Sequence, residues 1–276
     1  MNKQRAARLA VHAALILYTC LAIGPILLIV MNSFKSRRAI FGSPLALPTE
    51  DTFSLEGFAS VLGKADFGLY FVNSLTVTVV SLALVLLLGA MCAWALTEYR
   101  FRGNSLLGLY MAIGIMVPIR LGSVSILKMM VGLGLVNTLT ALILVYTAMG
   151  LPLAIFILAE FIQQVPRDLR DAARCDGVSE YRIFYAIILP LIRPALATVA
   201  VFTMVPIWND LWFPLILAPG RETQTVTLGV QQFIGQYVTD WNAVLAALSL
   251  AIAPILVLYV VFSRSLVRGL TAGAVK

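Results

Sequence analysis

The chain of 276 residues is 61% apolar, has only 12% charged side chains and has a mean hydropathy of +0.95. Soluble globular domains contain about 25% charged residues, so this composition excludes an ordinary soluble protein and indicates that lipid surrounds most of the chain. The net charge of +7 follows from an excess of lysine and arginine on one side of a membrane, and it requires no nucleic acid partner.

Six apolar stretches are each long enough to cross a hydrocarbon core about 30 Å thick, which takes roughly 20 helical residues. Helices are expected rather than strands, because lipid leaves no backbone group unpaired and the stretches lack the strict alternation of a membrane barrel. The predicted spans are 9–30, 71–96, 105–127, 138–161, 191–217 and 243–262. The sequence therefore predicts an all-α polytopic membrane protein with a single transmembrane domain over residues 1–276.

The first stretch could also be a cleaved signal peptide, because Lys3, Arg5 and Arg8 precede it. Its apolar region is longer than the ~7 to 15 residues usual in signal peptides, and no small-x-small cleavage site follows Met31. A retained first span is therefore the preferred interpretation.

The positions of lysine and arginine predict the orientation of the spans, because cytoplasmic loops carry an excess of these residues. With the N-terminus inside, 13 of the 20 cations fall on the inner side. They are Lys3, Arg5, Arg8, Arg100, Arg102, Arg167, Arg170, Arg174, Arg182, Arg193, Arg264, Arg268 and Lys276. Both termini are therefore predicted to be cytoplasmic, although the cluster Lys35, Arg37 and Arg38 opposes the rule.

The inner loop 163–189 has helical signals of its own. Pro166 fits the first turn of a helix, and Gly177 is placed to end that helix in a left-handed conformation. Ser179 can cap a second helix that runs into Pro190. The predicted hairpin is amphipathic, and its exposed cations are Arg167, Arg170, Arg174 and Arg182. Taken alone, this pattern fits a helix gripped by a protein groove and a helix resting on lipid headgroups equally well.

The same loop resembles the signature loop of ABC importer permeases, written EAA, x3, G, x9, I, x, L, P. The matching residues are Asp171, Ala172, Ala173, Gly177, Ile187, Leu189 and Pro190. All spacings match, and the one departure is Asp for Glu at 171, which keeps the charge but shortens the side chain by one methylene. Further likeness lies at 73–75, 99–103, 208–210 and 268–276, so the resemblance to maltose-type permeases covers nearly the whole chain.

This resemblance implies a type I ABC importer permease in the bacterial inner membrane that carries a sugar or sugar derivative. Its implied partners are a second permease subunit in a heterodimer, two ATPase subunits, a periplasmic solute-binding protein and membrane lipid. The residues implied in coupling to the ATPase are Asp171, Ala172, Ala173, Asp176, Gly177, Ser179, Leu189 and Pro190. ATP and Mg would be bound by the partners, since the chain has no G-x-x-x-x-G-K-[ST] motif, and no enzymatic activity or cofactor of its own is expected.

Two ionisable residues are expected within the membrane, Arg120 in the third span and Asp210 in the fifth. A rise of about 1.5 Å per residue places both roughly 24 to 26 Å from the inner boundary, nearly level with each other. They could form a structural ion pair or snorkel to headgroups. They could instead line an outer vestibule with Trp208 and Asn209, where the indole stacks on a sugar and the arginine suits an acidic one.

The large outer loop resembles the part of maltose-type permeases that points toward the binding protein. The residues implied in that contact are Gln236, Tyr237 and Trp241.

Three other classes of protein fit the sequence less well. An ion-driven secondary sugar transporter would need acids or histidines near the bilayer midplane and inverted repeats, and the sequence offers neither. A membrane enzyme would need a catalytic cluster, but Cys20, Cys92, Cys175 and the single histidine suggest no such cluster, no disulfide framework and no metal site. An ABC exporter commonly carries a fused ATPase, which is not expected here.

Overall fold

The computed structural model describes residues 3–64, 66–234 and 239–272, and these residues are almost entirely helical. The helices are α1 (Lys3–Ser33), α2 (Arg37–Gly42), α3 (Glu56–Lys64), α4 (Phe67–Glu98), α5 (Asn104–Met116), α6 (Ser123–Gly132), α7 (Leu139–Gln163), α8 (Arg167–Cys175), α9 (Glu180–Ile183), α10 (Leu189–Leu191), α11 (Arg193–Asn209), α12 (Trp212–Leu217), α13 (Val226–Val230) and α14 (Trp241–Ala272). Short 3₁₀ turns, Ile119–Gly122 and Gln231–Phe233, precede α6 and follow α13, and a π-helical turn, Phe184–Ile188, joins α9 to α10.

Three helices in the described part of the chain are long and apolar enough to cross a membrane alone, and up to five crossings result if each of two bent helix pairs counts as one. The three are Ala7–Ser33, Phe67–Glu98 and Leu139–Gln163. They coincide with the predicted first, second and fourth spans. The shorter apolar helix Trp241–Val257 lies at the predicted sixth span, so the number of six crossings stays a prediction.

The predicted span 105–127 is broken in the middle. Helix α5 ends at Met116, and the helical residues that start at Ile119 are bent by 88° from it. Pro118 explains the break, because it lacks an N–H and disfavours helical backbone at the preceding Val117, whose ψ is 121°. The depth predicted for Arg120 assumed an unbroken helix from residue 104. Because the chain bends by 88° before Arg120, that predicted depth is wrong.

The predicted span 191–217 is interrupted near its C-terminal end. Helix α11 ends at Asn209, and the extended residue Asp210 (φ −72°, ψ 134°) separates it from α12. At its other end α11 is bent by 75° from the segment Glu180–Leu191. Pro194 lies in the first turn of α11, where its missing N–H removes no helical hydrogen bond. The chain can therefore change direction immediately before α11.

The chain divides into two compact units, 1–68 with 229–254 and 69–228 with 255–276. The first unit contains α1, α2, α3 and the beginning of α14. The second contains most of α4 and the helices from α5 to α12, and it holds the hairpin and the ionisable pair singled out by the sequence.

Lys35, which opposes the positive-inside rule, is fully buried within the first unit. Its Nζ donates to the carbonyl oxygens of Ser43 at 2.9 Å and Pro44 at 3.4 Å. Its own carbonyl accepts a hydrogen bond from Asn242 Nδ2 at 2.8 Å. The two hydrogen bonds from Nζ offset part of the cost of burying a charged amine, and together with the bond from Asn242 they hold the loop after α1 in place.

Small residues allow helices α4 and α7 to pack closely in the second unit. A Cβ added at Gly89 of α4 would lie 2.9 Å from the Cβ of Ala154 in α7. A Cβ added at Gly150 of α7 would lie 2.7 Å from Cγ2 of Val85 in α4. Close approach at small residues is a usual source of helix association in lipid, and it makes α4 and α7 a firm support for the hairpin that follows α7.

Candidate functional site

The loop 163–189 forms a helical hairpin, and Gly177 sets its turn. Gly177 has a φ of 73°, in the left-handed region that glycine adopts at no steric cost. The Val178 N–H donates to the Ala173 carbonyl, and the Gly177 N–H donates to the Arg174 carbonyl, each at 3.0 Å. This pair of hydrogen bonds is a Schellman motif that closes α8 after its C-cap Asp176. The left-handed conformation predicted for Gly177 is confirmed.

The second arm of the hairpin starts after Ser179. Its backbone is extended (φ −67°, ψ 151°), as in an N-cap residue, but its side chain makes no capping hydrogen bond, which corrects the expected role of its hydroxyl. The Ser179 carbonyl accepts instead from the Ile183 N–H at 3.0 Å. The arm continues through the π-helical turn into α10 and ends at Leu191, one residue beyond Pro190.

The residues implied in ATPase coupling lie on two sides of the hairpin. The exposed residues are Asp171, Ala172, Asp176, Gly177 and Ser179. Ala173 is buried, and Leu189 packs against the same apolar core, which also contains the fully buried Ile183 and Ile188. Pro190 is half-buried. One side of the hairpin is therefore fixed in the apolar core, while the other is open for contact.

Arg170 lies on the buried side of the hairpin, so the prediction that its side chain is exposed is wrong. Its side chain is only 4% exposed, and Nη1 donates to Oε2 of Glu98 at the end of α4. Nη2 donates to the Val165 carbonyl at 3.2 Å, and the guanidinium carbon lies 5.7 Å from the centre of the Trp94 ring. A buried cation needs such partners, and these partners attach α8 to α4.

Arg174 connects three carboxylates in the same network. Its Nη2 lies 2.5 Å from Glu98 Oε1, its Nε lies 2.7 Å from Glu180 Oε1 and its Nη1 lies 3.0 Å from Asp171 Oδ1. Tyr99 donates its hydroxyl to Glu180 Oε2 at 2.8 Å. The two arms of the hairpin are thus joined to each other through Arg174 and Glu180, and to the end of α4 through Glu98 and Tyr99.

The charges of this network shift one another's pKa values. Hydrogen bonds from Arg174 hold the pKa of the Glu180 carboxyl below its ordinary value of 4.5, and hydrogen bonds to Glu180 and Glu98 raise the pKa of Arg174. Burial raises the pKa of the Tyr99 phenol, and its hydrogen bond to Glu180 adds to that effect. The ionised forms of Arg174 and Glu180 are therefore both stabilised by the hairpin geometry.

The ionisable pair predicted within the membrane is present in the second unit. Arg120 Nη2 lies 3.6 Å from Asp210 Oδ1, and the two side chains are 72% and 9% exposed. Asp210 Oδ2 also accepts from the Tyr146 hydroxyl at 2.8 Å and from the Phe213 N–H at 3.1 Å. Asp210 therefore caps the start of α12 and connects it to α7, while Arg120 remains largely open.

A cavity of about 240 Å³ lies beside this pair. Its lining consists of Arg120, Tyr146, Met149, Gly150, Leu153, Phe202, Thr203, Pro206, Ile207, Asp210 and Phe213. Most of these residues belong to α7 and α11, so the cavity lies between the two helices, and the Arg120–Asp210 pair supplies its charged end.

Trp208 and Asn209 do not contribute to this cavity. Trp208 is 3% exposed and packs edge-to-face on Phe71, with the ring centres 5.6 Å apart. Asn209 is exposed, but its Nδ2 donates to the Val205 carbonyl in its own helix at 2.9 Å. This corrects the expectation that the indole of Trp208 faces the vestibule, since the tryptophan is a packing residue in this structure.

Of the three residues implied in contact with a binding protein, Gln236 and Tyr237 lie outside the described residues. Trp241, in the first unit, is 42% exposed, and its ring lies edge-on to Phe41 with the centres 6.1 Å apart. Among the described residues, no group of three or more His, Cys, Asp or Glu side chains could hold a metal ion.

Glu98 and Glu180 were not singled out from the sequence, although both hold the hairpin. For Glu98, the sequence signal is an acidic residue at the end of a predicted span, directly before a loop that contains arginines. Because Glu98 and Arg170 are separated by more than 70 positions, their pairing has no local pattern.

The long apolar helices in the described part of the chain place it in the class of polytopic helical membrane proteins. This chain belongs to the family of inner membrane components of binding-protein-dependent transport systems, which matches residues 85–272. It is therefore a permease subunit in the bacterial cytoplasmic membrane and not an enzyme in its own right. The predicted family and the predicted all-α fold are confirmed, while the count of six spans and the cytoplasmic placement of both termini stay predictions.

Similar proteins match almost the full length of the chain. The diacetylchitobiose uptake system permease protein NgcG of Streptomyces coelicolor is 36% identical, covering 95% of this chain and 87% of its own. The arabinooligosaccharides transport system permease protein AraQ of Halalkalibacterium halodurans is 33% identical, covering 93% and 92%. One chain of a bacterial ABC transporter that imports the acidic polysaccharide alginate has the same fold, with a TM-score of 0.82 at 20% identity over 96% of this chain and 98% of that chain.

Proposed function

We propose that this chain carries a sugar or sugar derivative into the cytoplasm, driven by ATP hydrolysis in partner subunits. The observation that carries this proposal is the likeness to NgcG and AraQ over more than nine-tenths of the chain, because the names of both relatives refer to oligosaccharide transport.

The proposed assembly contains a second permease subunit, two ATPase subunits and a periplasmic solute-binding protein. A second structure of similar fold, with a TM-score of 0.66 at 15% identity over 95% of this chain and 94% of that chain, is an alginate ABC transporter in complex with a pentasaccharide-bound periplasmic protein. ATP and Mg would be bound by the ATPase subunits. Trp241, with Gln236 and Tyr237, would face the binding protein.

We propose that the hairpin passes motion from the ATPase to the spans. The exposed side, with Asp171, Ala172, Asp176, Gly177 and Ser179, would dock in a groove of the ATPase by helix-in-groove recognition. The buried side of the hairpin would move with the exposed side as a rigid body, because the Schellman turn and the buried apolar residues leave the hairpin little freedom. Ala173, Leu189 and Pro190 would transmit the movement through the core.

Glu98 gives that movement a direct path into α4. Its carboxylate bonds both Arg170 and Arg174 of α8, so a displacement of α8 displaces the end of α4. The network thus supports a role for the hairpin as a positioned lever rather than as a flexible loop lying on headgroups.

At the outer end, we propose that Arg120 and Asp210 lie on the substrate pathway. The adjoining cavity of about 240 Å³ is smaller than the ~300 to 1,000 Å³ of typical ligand pockets, so it would have to widen to admit an oligosaccharide. Trp208 and Asn209 are the last two residues of α11, one of the helices that line the cavity. Their side chains would reach the substrate pathway only if this end of α11 rotated.

Reconstitution tests this function. Proteoliposomes containing this chain, its second permease and the ATPase subunits should take up a radiolabelled oligosaccharide only when both ATP and the loaded binding protein are supplied. An ion-driven sugar transporter would instead accumulate sugar under a proton or sodium gradient without ATP. Uptake that follows the ion gradient and ignores ATP would overturn the proposal.

A further inference from the structure

A polar cleft lies where α4 and α7 end, apart from the exposed side of the hairpin. Its volume is about 550 Å³, and Arg100, Arg167 and Arg170 are among its lining residues. None of the described lining residues is acidic. We propose that this cleft binds the phosphate of an anionic phospholipid.

The cleft holds more positive charge than its surroundings neutralise. Arg170 is paired with Glu98, but Arg100 and Arg167 form no ion pair among the described residues. Arg170 is nine-tenths buried or more, and its Nε has no hydrogen-bond partner in the described part of the chain. Unpaired guanidinium groups with several N–H donors suit the oxygens of a phosphate.

The beginning of α5 adds one backbone donor to the same cleft, the Ser105 N–H, while the Asn104 N–H already donates to the Phe101 carbonyl at 3.2 Å. Asn104 and Ser105, the first residues of this 13-residue helix, line it. The N-cap residue is Gly103, which has no side chain to satisfy the free N–H groups of the first turn. A helix N-terminus attracts anions, and here it adjoins the three arginines.

The surroundings favour a phospholipid over a free anion. Helices α4 and α7 are two of the three helices long enough to cross the membrane alone, so we place the cleft at their ends beside the lipid headgroups. From the cleft, α5 continues with no buried residue, and its Leu106, Leu109 and Tyr110 are 69%, 56% and 67% exposed. Acyl chains could cover this apolar surface while the phosphate occupies the cleft, as at basic headgroup pockets between membrane helices.

Native mass spectrometry of the assembled transporter tests the site by titration with phosphatidylglycerol. A double variant, Arg100→Gln with Arg167→Gln, should bind this lipid roughly tenfold more weakly or worse, since each cation near an anionic headgroup strengthens binding several-fold. A charge-matched control, Arg102→Gln with Arg182→Gln, alters exposed arginines that do not line the cleft and should bind it as the wild type does.

Two further titrations separate the sources of phosphate. Phosphatidylcholine with the same acyl chains should bind more weakly than phosphatidylglycerol, and inorganic phosphate should not displace the bound lipid. Equal loss of phosphatidylglycerol in both double variants, or no loss in either, would overturn the site. Inorganic phosphate binding as tightly as the lipid would assign the cleft to a free anion and overturn the lipid proposal. Size-exclusion profiles of the variants check that each complex remains assembled.

Discussion

Glu98 is the residue on which the attachment of the hairpin depends most. Its carboxylate accepts from two arginines of α8, and one of these, Arg170, is buried. Arg170 retains the Val165 carbonyl and the face of Trp94, but neither supplies a negative charge. Removing the carboxylate charge would leave a buried cation without its counter-ion, which is far more costly than losing an exposed pair.

We expect Glu98→Gln to lower the free energy of unfolding by about 2 kcal/mol, because the amide keeps the shape of the side chain but not its charge. Glu160→Gln is a suitable control, since Glu160 is exposed near the end of α7. Thermal unfolding of the solubilised protein measures both variants. Equal melting temperatures for Glu98→Gln and wild type would show that the ion pair adds nothing to stability.

Glu180 makes the hairpin sensitive to acid. Because folding lowers the pKa of this carboxyl from 4.5, its contribution to stability is complete above pH 4.5 and is lost as the pH falls through the lowered value. Protonation would weaken the hydrogen bonds from Arg174 and Tyr99. The second arm should then loosen from α8 and from the end of α4.

A spin label on the exposed Cys175 can measure this loosening, with Cys20, which is also exposed, replaced by serine. We expect label mobility to be constant at neutral pH and to rise as the pH falls below 4.5, the ordinary pKa of the carboxyl. In Glu180→Gln the mobility should be high already at neutral pH and independent of pH in this range. A wild-type profile that stays flat through the same range would contradict the role of Glu180.

Among the elements, the turn between α8 and α9 needs glycine because of its left-handed backbone conformation, and not because a side chain would lack space. No neighbouring atom lies within 4 Å of a Cβ added at Gly177, and the same holds for Gly134, which has a φ of 68° between α6 and α7. The two glycines therefore impose nearly the same backbone strain on a substituted residue, but only one of them belongs to the hairpin. They form a matched pair for separating coupling from stability.

We expect Gly177→Val to leave the protein in the membrane and to abolish ATP-driven uptake, because a β-branched residue opposes the left-handed turn and displaces the two arms. Gly134→Val should lose a similar amount of stability and retain uptake. Membrane abundance and transport in reconstituted vesicles measure the two effects separately. Normal uptake by Gly177→Val, or equal loss in both variants, would remove the turn from the coupling path.

The elements differ in how far the sequence predicts them. The long apolar runs of α1, α4 and α7 and the turn at Gly177 follow from local patterns, because hydrophobic length and backbone conformation are properties of neighbouring residues. The depth of Arg120 did not follow, because Pro118 and Val117 bend the chain by 88°. The burial of Arg170 depends on Glu98, and that pairing is set by tertiary packing.

At the scale of the whole molecule, Arg120 and Asp210 differ in how far their side chains are exposed. Asp210 is nearly buried and serves the structure as the cap of α12, whereas Arg120 is 72% exposed. An exposed ion pair contributes only about 0 to 1 kcal/mol, so the pairing with Asp210 needs little of the Arg120 charge for stability. This asymmetry could not be read from the sequence, which placed the two residues at equal depth.

We expect Arg120→Ala to unfold at nearly the wild-type temperature and to reduce uptake of an anionic oligosaccharide by about tenfold or more, because a charged hydrogen bond to the cargo is lost. Uptake of a neutral oligosaccharide of equal length should change little. Transport assays with both cargoes, together with the melting temperature, measure these effects. Unchanged uptake of both would remove Arg120 from the substrate pathway.

The bend of 75° between the second arm of the hairpin and α11 determines how a push from the ATPase would arrive in the membrane. A displacement directed along the arm would meet α11 almost at right angles, so most of it would become a sideways shift of that helix and little would become a slide along its axis. Because α11 and α7 both line the cavity beside Arg120 and Asp210, a sideways shift would change the width of the gap between the two helices. Under the proposed coupling, gating by separation of these two walls would need only a small displacement of the hairpin.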